Sequence, residues 1–211
     1  MIGEQSFIVR SYQETDREQV IPLYRSCFKD YDGPHFEEKE EKFSKLLSPT
    51  NTVVAVEDSL VLGLGTYATI AEDQFREQME TTLYWARRKS DREDALLGYC
   101  RGVQQEFEGE IVMEFFDNEL TNSNFPVLDN DVYLDNLCVD QRYRGKGIGS
   151  KLVEERIRRG LEQGAVMAYT ACAESSSSVN IYRKLPFLPL LRLGPSYANG
   201  SAALEMAMRL R

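Results

Sequence analysis

Histidine is almost missing from this 211-residue chain, His35 being the single one, and its four cysteines, Cys27, Cys100, Cys138 and Cys172, include no CxxC pair. Zinc centres need clustered Cys and His, and disulfide scaffolds need closely paired cysteines, so neither a metal nor a disulfide framework is expected. No stretch approaches the roughly 18 apolar residues of a membrane helix. Met1 to Arg10 also lacks the apolar centre of a secretory signal, which predicts a cytoplasmic protein with no membrane partner. Basic residues are the minority, 25 Lys and Arg against 34 Asp and Glu, for a formal charge of −9. That balance argues against a nucleic-acid partner, whose phosphates require clustered cations. A cationic partner would instead be steered favourably.

Enough apolar residue is present, 42% against 28% charged, to bury a core, and the length suits a single domain over 1–211. Phe7 to Arg10 reads as a strand. Glu14-Thr15-Asp16 then offers capping groups before an amphipathic helix carrying Val20, Ile21, Leu23, Tyr24 and Phe28. A second helix from Phe36 to Leu47 stops at Ser48-Pro49, and Thr52–Glu57 and Leu60–Tyr67 form a hairpin about Asp58-Ser59. Residues 70–130 read as an insert. It has helical composition over Ala71–Lys89 and Asp91–Phe107, a strand at Ile111–Phe116 and a loop to Asp131.

The pattern sharpens after Asp131. Val132–Val139 is a strand and Ile148–Gln163 a helix, with Ile148, Leu152, Val153, Ile157 and Leu161 on one face and Glu154, Glu155, Arg158 and Arg159 on the other. Gly164 ends it. Ala165–Cys172 is a strand, a short helix carries Val179, Tyr182 and Arg183, and Leu188–Leu193 and Ala203–Leu210 are strands around Gly194-Pro195-Ser196. The result is an α/β fold with a mixed, mostly antiparallel sheet of about seven strands. The sheet is expected to split where the strands carrying Val139 and Cys172 diverge.

Between the sharpest strand and helix lies Gln141-Arg142-Tyr143-Arg144-Gly145-Lys146-Gly147-Ile148-Gly149. Such a turn presents bare amides to an anion, the helix N-terminus adds about half a positive charge, and Arg142, Arg144 and Lys146 add cations. A dinucleotide fingerprint fails, because Ser150 stands where its last glycine belongs and Thr170 where its acid belongs. A P-loop fails for want of Gly-Lys-Ser/Thr. A phosphate cradle and a plain glycine turn are the readings left.

The segment resembles the signature Q/R-x-x-G-x-G/A of the GNAT superfamily of N-acetyltransferases, matched by Arg142, Gly145 and Gly147. Tyr133 to Val139 is similar to that family's central strand. Ser178 to Phe187 is similar to its second motif, with Tyr182 five residues before Phe187 and Pro186 in place of the usual glycine. The flavour is closest to the diamine and thialysine acetyltransferases.

The resemblance implies acetyl-CoA as cofactor and direct transfer to a primary amine, either a small cationic amine or a lysine side chain. It implies cofactor contacts from backbone groups of Leu137, Cys138 and Val139, from Arg142, Arg144, Gly145, Lys146, Gly147, Ile148, Gly149 and Ser150, and from Asn180 and Tyr182. Tyr182 would be the general acid, since a phenol of ordinary pKa about 10 can still protonate a thiolate; the other reading is an aromatic packed on the strand below. Asn180 would touch the cofactor or merely face solvent. Asp135 is the candidate base or amine contact, with Asp131 and Glu114 as alternatives. Cys138 has no histidine nearby in sequence to activate it as a nucleophile. The acidic insert, with Glu106, Glu108, Glu110, Glu114, Asp117 and Glu119, and the turn 194–200 are expected to help bind the amine. The insert reads equally well as a solvated face or a homodimer contact. A coenzyme A-binding regulatory domain without turnover is the alternative function.

Overall fold

The computed structural model describes residues 6–71, 112–122 and 126–211. The two helical segments expected beyond residue 71 in the insert lie outside them. In chain order come β1 (Ile8–Ser11), α1 (Arg17–Asp32), α2 (Phe36–Leu46), β2 (Thr52–Glu57), β3 (Leu60–Thr69), β4 (Val112–Phe115) and β5 (Val132–Val139). After them follow α3 (Ile148–Glu162), β6 (Met167–Ala173), α4 (Ser178–Lys184), β7 (Leu188–Gly194) and β8 (Ala203–Arg209). Among the described residues no helix is long and apolar enough to cross a membrane.

β2 and β3 pair with Glu57 opposite Leu60, so a two-residue turn joins them. Asp58 and Ser59 take φ of 46° and 69°, the left-handed pair whose twist matches that of the flanking strands. Successive side chains of β2 point to opposite faces. Val53 and Ala55 accordingly pack under α3 and α4 with Ile148, Leu152, Val153 and Val179. Val54 and Val56 pack on the other side under α1 and α2 with Val20, Leu23, Tyr24, Phe36 and Phe43. Helices covering both faces explain why β2 is apolar throughout and does not alternate.

The sheet has the order β1-β2-β3-β5-β6-β8-β7-β4. It is antiparallel everywhere except between β5 and β6. The expected mixed, mostly antiparallel sheet is present, with eight strands among the described residues. That parallel pair is short, running only through Val132↔Ala168, Tyr133↔Tyr169 and Leu134↔Thr170. Beyond it β5 stays with β3 as far as Val139, and β6 stays with β8 as far as Ala173. The sheet opens into a cleft.

The opening begins at an irregularity in β5. Gly65 lies opposite Leu137 and Tyr67 opposite Leu134, so the single residue Thr66 faces both Asp135 and Asn136. A bulge of this kind bends its strand and sharpens the local twist. It occurs where the pairing to β6 ends.

Candidate functional site

A cavity of about 330 Å³ fills the mouth of this cleft beneath α1 and α2. Its floor is Asp135, Asn136 and Leu137 of β5 with Ala171, Cys172 and Ala173 of β6. Tyr182 of α4 closes one side, and Tyr24, Phe28, Tyr31 and Phe43 roof it from α1 and α2. Tyr197 reaches it from the turn between β7 and β8, meeting Tyr31 edge-on at 5.9 Å. The turn is held there by Ala198 N–H donating to Tyr31 O at 2.9 Å. The size suits a small-molecule site, and aromatic faces suit a cation.

Tyr182 and Asp135, the two candidate catalytic residues, face this one cavity. Tyr182 is 1% exposed, and its ring stands edge-on to Phe187 at 5.2 Å and 69°. The five-residue interval read from the sequence thus serves packing. Asp135 accepts hydrogen bonds from Asn136 Nδ2 at 2.7 Å and Thr66 Oγ1 at 3.4 Å. Burial first, and the charge of Asp135 with other groups after it, raise the phenols of Tyr24, Tyr133 and Tyr197. All three rings are neutral walls in a negative field.

The alternative bases stand elsewhere. Asp131 is fully buried, accepting from Val166 N and Met167 N through Oδ1 and from Leu128 N through Oδ2, so it staples the starts of β5 and β6. Glu114 is exposed on β4 at the far edge of the sheet, opposite Arg192.

Alternate amides of a strand face alternate edges. Asp140 N–H donates to Leu62 O at 2.9 Å, so the Cys138 amide also faces β3, while the amides of Leu137 and Val139 point to the open edge. Of the three backbone groups named from the sequence, those of Leu137 and Val139 are turned to the cleft. Cys138 belongs to the ladder, its thiol buried among Val20, Leu23 and Leu64.

At the end of β5 the chain enters the glycine turn. Gly145 and Gly147 have φ of 78° and 82°, and a Cβ on either would meet nothing within 4 Å. The backbone is bare and left-handed in open space, with the N-terminal amides of Ile148, Gly149 and Ser150 beyond it, Lys151 N being the first satisfied within the helix by Gly147 O. Ile148 is a core side chain and Gly149 is buried, where a Cβ would come 2.6 Å from Ile181 Cδ1, so glycine lets α3 approach α4 there. Arg142 is exposed but grips Asp140, Nη2 to Oδ2 at 2.7 Å, and this pairing lowers the Asp140 pKa. Arg144 Nε donates to Val139 O at 3.1 Å, Lys146 lies 5.0 Å from the Tyr143 ring centroid, and Asn180 is exposed on α4.

Several residues facing the cavity were not singled out in the sequence. Asp32, 8% exposed, lines it and binds Lys39 Nζ at 2.7 Å. Outside the cavity lining, Cys27, half-buried on α1, lies 3.9 Å from both Val139 O and Arg144 Nη2. A hydrogen bond from Cys138 foremost, then Ser26 and Arg144, outweighs burial and holds the Cys27 thiol down to about 6, whereas burial drives Cys138 upward. Iodoacetamide should therefore modify Cys27 about tenfold faster at pH 7 than at pH 5, in proportion to thiolate. Peptide mapping checks this, and a rise of about a hundredfold over that interval, the behaviour of an ordinary thiol, would refute the lowered pKa. The acidic insert makes no contribution that the described residues reveal, for none of residues 112–122 lines the cavity.

The acetyltransferase (GNAT) family matches residues 41–187. No curated protein matches the chain. Among solved structures, the mosquito arylalkylamine N-acetyltransferase like 5b superposes with a TM-score of 0.63 at 16% identity, over 97% of this chain and 100% of that one. The Drosophila melanogaster polyamine N-acetyltransferase, described as forming N-acetylagmatine, gives 0.62 at 14% identity over 97% and 100%. The NatC complex bound to Gag peptide and CoA gives 0.55 at 15% identity over 98% and 100%.

Proposed function

The chain belongs to the acetyltransferase (GNAT) family, and from that premise we propose that it transfers acetyl from acetyl-CoA directly to a primary amine, on a small cationic molecule or a lysine side chain. The observation that carries this reading is the parting of β5 from β6 over a cavity faced by both Asp135 and Tyr182. Of the similar folds, one is described as a polyamine N-acetyltransferase that forms N-acetylagmatine, one is named arylalkylamine N-acetyltransferase like, and one is described with CoA bound.

The residues present fit the cofactor. The left-handed Gly145 and Gly147 and the amides opening α3 form a bare, positive cradle for a pyrophosphate, and the open edge of β5 offers the Leu137 and Val139 amides to an extended pantetheine arm. Acetyl-CoA supplies an activated thioester carbonyl when bound. The Val139 N–H polarises that carbonyl. Asp135 would take a proton from the substrate ammonium and free the amine to attack, and the Tyr182 hydroxyl would give one to the departing sulfur and regain it from the nitrogen as the amide forms. Tyr24, Tyr197 and Phe43 surround the cationic end of the amine.

A panel of amines incubated with acetyl-CoA tests the proposal, with cationic amines expected to turn over and KM expected to rise with salt. Asp135→Asn should raise the amine KM or move the acid limb of the pH profile. Coenzyme A binding without turnover of any amine would leave only the binding-domain reading. Turnover confined to neutral acceptors would overturn the cationic assignment.

A further inference from the structure

One charged side chain in the core is not used by the chemistry above. Arg156 of α3 is fully buried, 0% exposed, beneath the β5 bulge. Its Nη1 donates to Thr66 O at 2.9 Å and to Asn136 O at 3.2 Å, and its Nε reaches Leu152 O at 3.3 Å. Thr66 and Asn136 are the residues at which β3 and β5 lose register. Two residues opposite one leave backbone groups that the ladder cannot pair, and a buried unpaired carbonyl is costly. On the β3 side the Thr66 hydroxyl accepts from Asn136 N at 3.1 Å and Asn136 Nδ2 at 3.0 Å. The guanidinium takes the carbonyls.

We propose that Arg156 is a positioning residue of the acyl-transfer site: by holding the Thr66 and Asn136 carbonyls it fixes the bulge, and through the bulge the direction of the Leu137 and Val139 amides and of the Asp135 carboxylate. The assignment rests on the transfer reading above. Slipping β5 by one residue would turn every amide from Leu137 onward to the opposite edge, so whatever pins the bulge decides which amides face the cleft.

Two further observations support this. Room for the guanidinium is reserved by Gly65, where a Cβ would come 2.9 Å from Arg156 Nε and 3.1 Å from Cδ. The Nη2 nitrogen, buried, has no hydrogen-bond partner among the described residues. A buried cation with an unsatisfied nitrogen is a poor source of stability on its own account. One nitrogen, Nη1, donates to both carbonyls, its two hydrogens fixed in the guanidinium plane, whereas the hydrogens of a lysine ammonium rotate freely.

The test compares wild type with Arg156→Met, Arg156→Lys and Gly65→Ala by thermal melting, coenzyme A titration, kcat and KM, and hydrogen exchange at the Leu137 and Val139 amides. Arg156→Met leaves the Thr66 and Asn136 carbonyls unpaired and is expected to melt below wild type but stay folded, and to lose about 10- to 100-fold in kcat/KM, with faster exchange at both amides. Arg156→Lys should fall between the two. Gly65→Ala should reproduce the loss when Arg156 is present and add little to Arg156→Met, where the collision is gone. Should Arg156→Met fail to fold, Gly65→Ala alone decides, and normal exchange and turnover in it overturn the proposal. Normal kcat/KM and exchange in a folded Arg156→Met do so equally. A wild type that binds coenzyme A but acetylates nothing defeats the transfer reading alone, because the exchange measurement still reports whether Arg156 holds the amides.

Discussion

Tyr182→Phe is expected to lower kcat by about 10²- to 10⁴-fold, the range of a lost general acid, while coenzyme A affinity stays within about twofold of wild type. The substitution removes the hydroxyl and keeps the ring. Tyr182 is 1% exposed in the core beside Phe187, with ring centroids 5.2 Å apart, so phenylalanine keeps the packing. A buried hydrogen bond contributes about 0.5–1.5 kcal/mol to stability. That is too little to unfold an ordinary domain, so a collapse in turnover would report chemistry. Stopped-flow acetyl transfer with calorimetric titration of coenzyme A separates the effects, and equal kcat in the two proteins removes Tyr182 from the reaction.

The second large effect belongs to the glycine turn. Gly147→Asp should weaken coenzyme A by about 10- to 100-fold, which corresponds to about 1.4–2.8 kcal/mol. Gly147 is the N-cap of α3 with φ of 82°. A residue with a Cβ in that left-handed region costs about 1–2 kcal/mol, less for aspartate than for most. Opposing this, aspartate improves on glycine as an N-cap by only about a few tenths of a kcal/mol. The fold therefore loses on the order of 1 kcal/mol, too little to unfold an ordinary domain, and nothing lies within 4 Å of the added Cβ. The larger change is electrostatic, because a fixed carboxylate stands at the amides proposed to hold a pyrophosphate. Gly147→Ala isolates the backbone strain and should bind more tightly than Gly147→Asp. Unaltered affinity in Gly147→Asp, measured by calorimetry, would place the anion site elsewhere.

Arg142→Glu would act less directly than its position in the motif suggests. Arg142 is held by Asp140 at 2.7 Å, so part of its charge is already spoken for, whereas Arg144 reaches back to Val139 O at the head of the cleft.

What the chain determined unaided are features governed by neighbours a few residues away. The β-branched run of β2, the Asp58-Ser59 turn, the helical spacing of Ile148, Leu152 and Val153, the glycines at 145 and 147 and the Tyr182–Phe187 interval are all of this kind. Local sterics and one-dimensional periodicity set them. Arg156 shows the boundary. It follows Leu152 by four residues and Val153 by three, so spacing alone places a cation on the buried face of α3, but only the bulge opposite Thr66 gives it two carbonyls to hold.

Tyr24 and Asp32 of α1 lie far in sequence from Tyr197 and meet it over the cavity only because α1 and the β7–β8 turn are brought together above the parted strands. Likewise the Cys27 thiol is shifted by Cys138 and Arg144, which lie more than 100 residues downstream. Which amides of β5 face the cleft was decided by strand register, a property of a pair of strands and not of either alone. Burial, register and the approach of distant charges arise from the closed fold, and those are the quantities that turn a legible motif into a site.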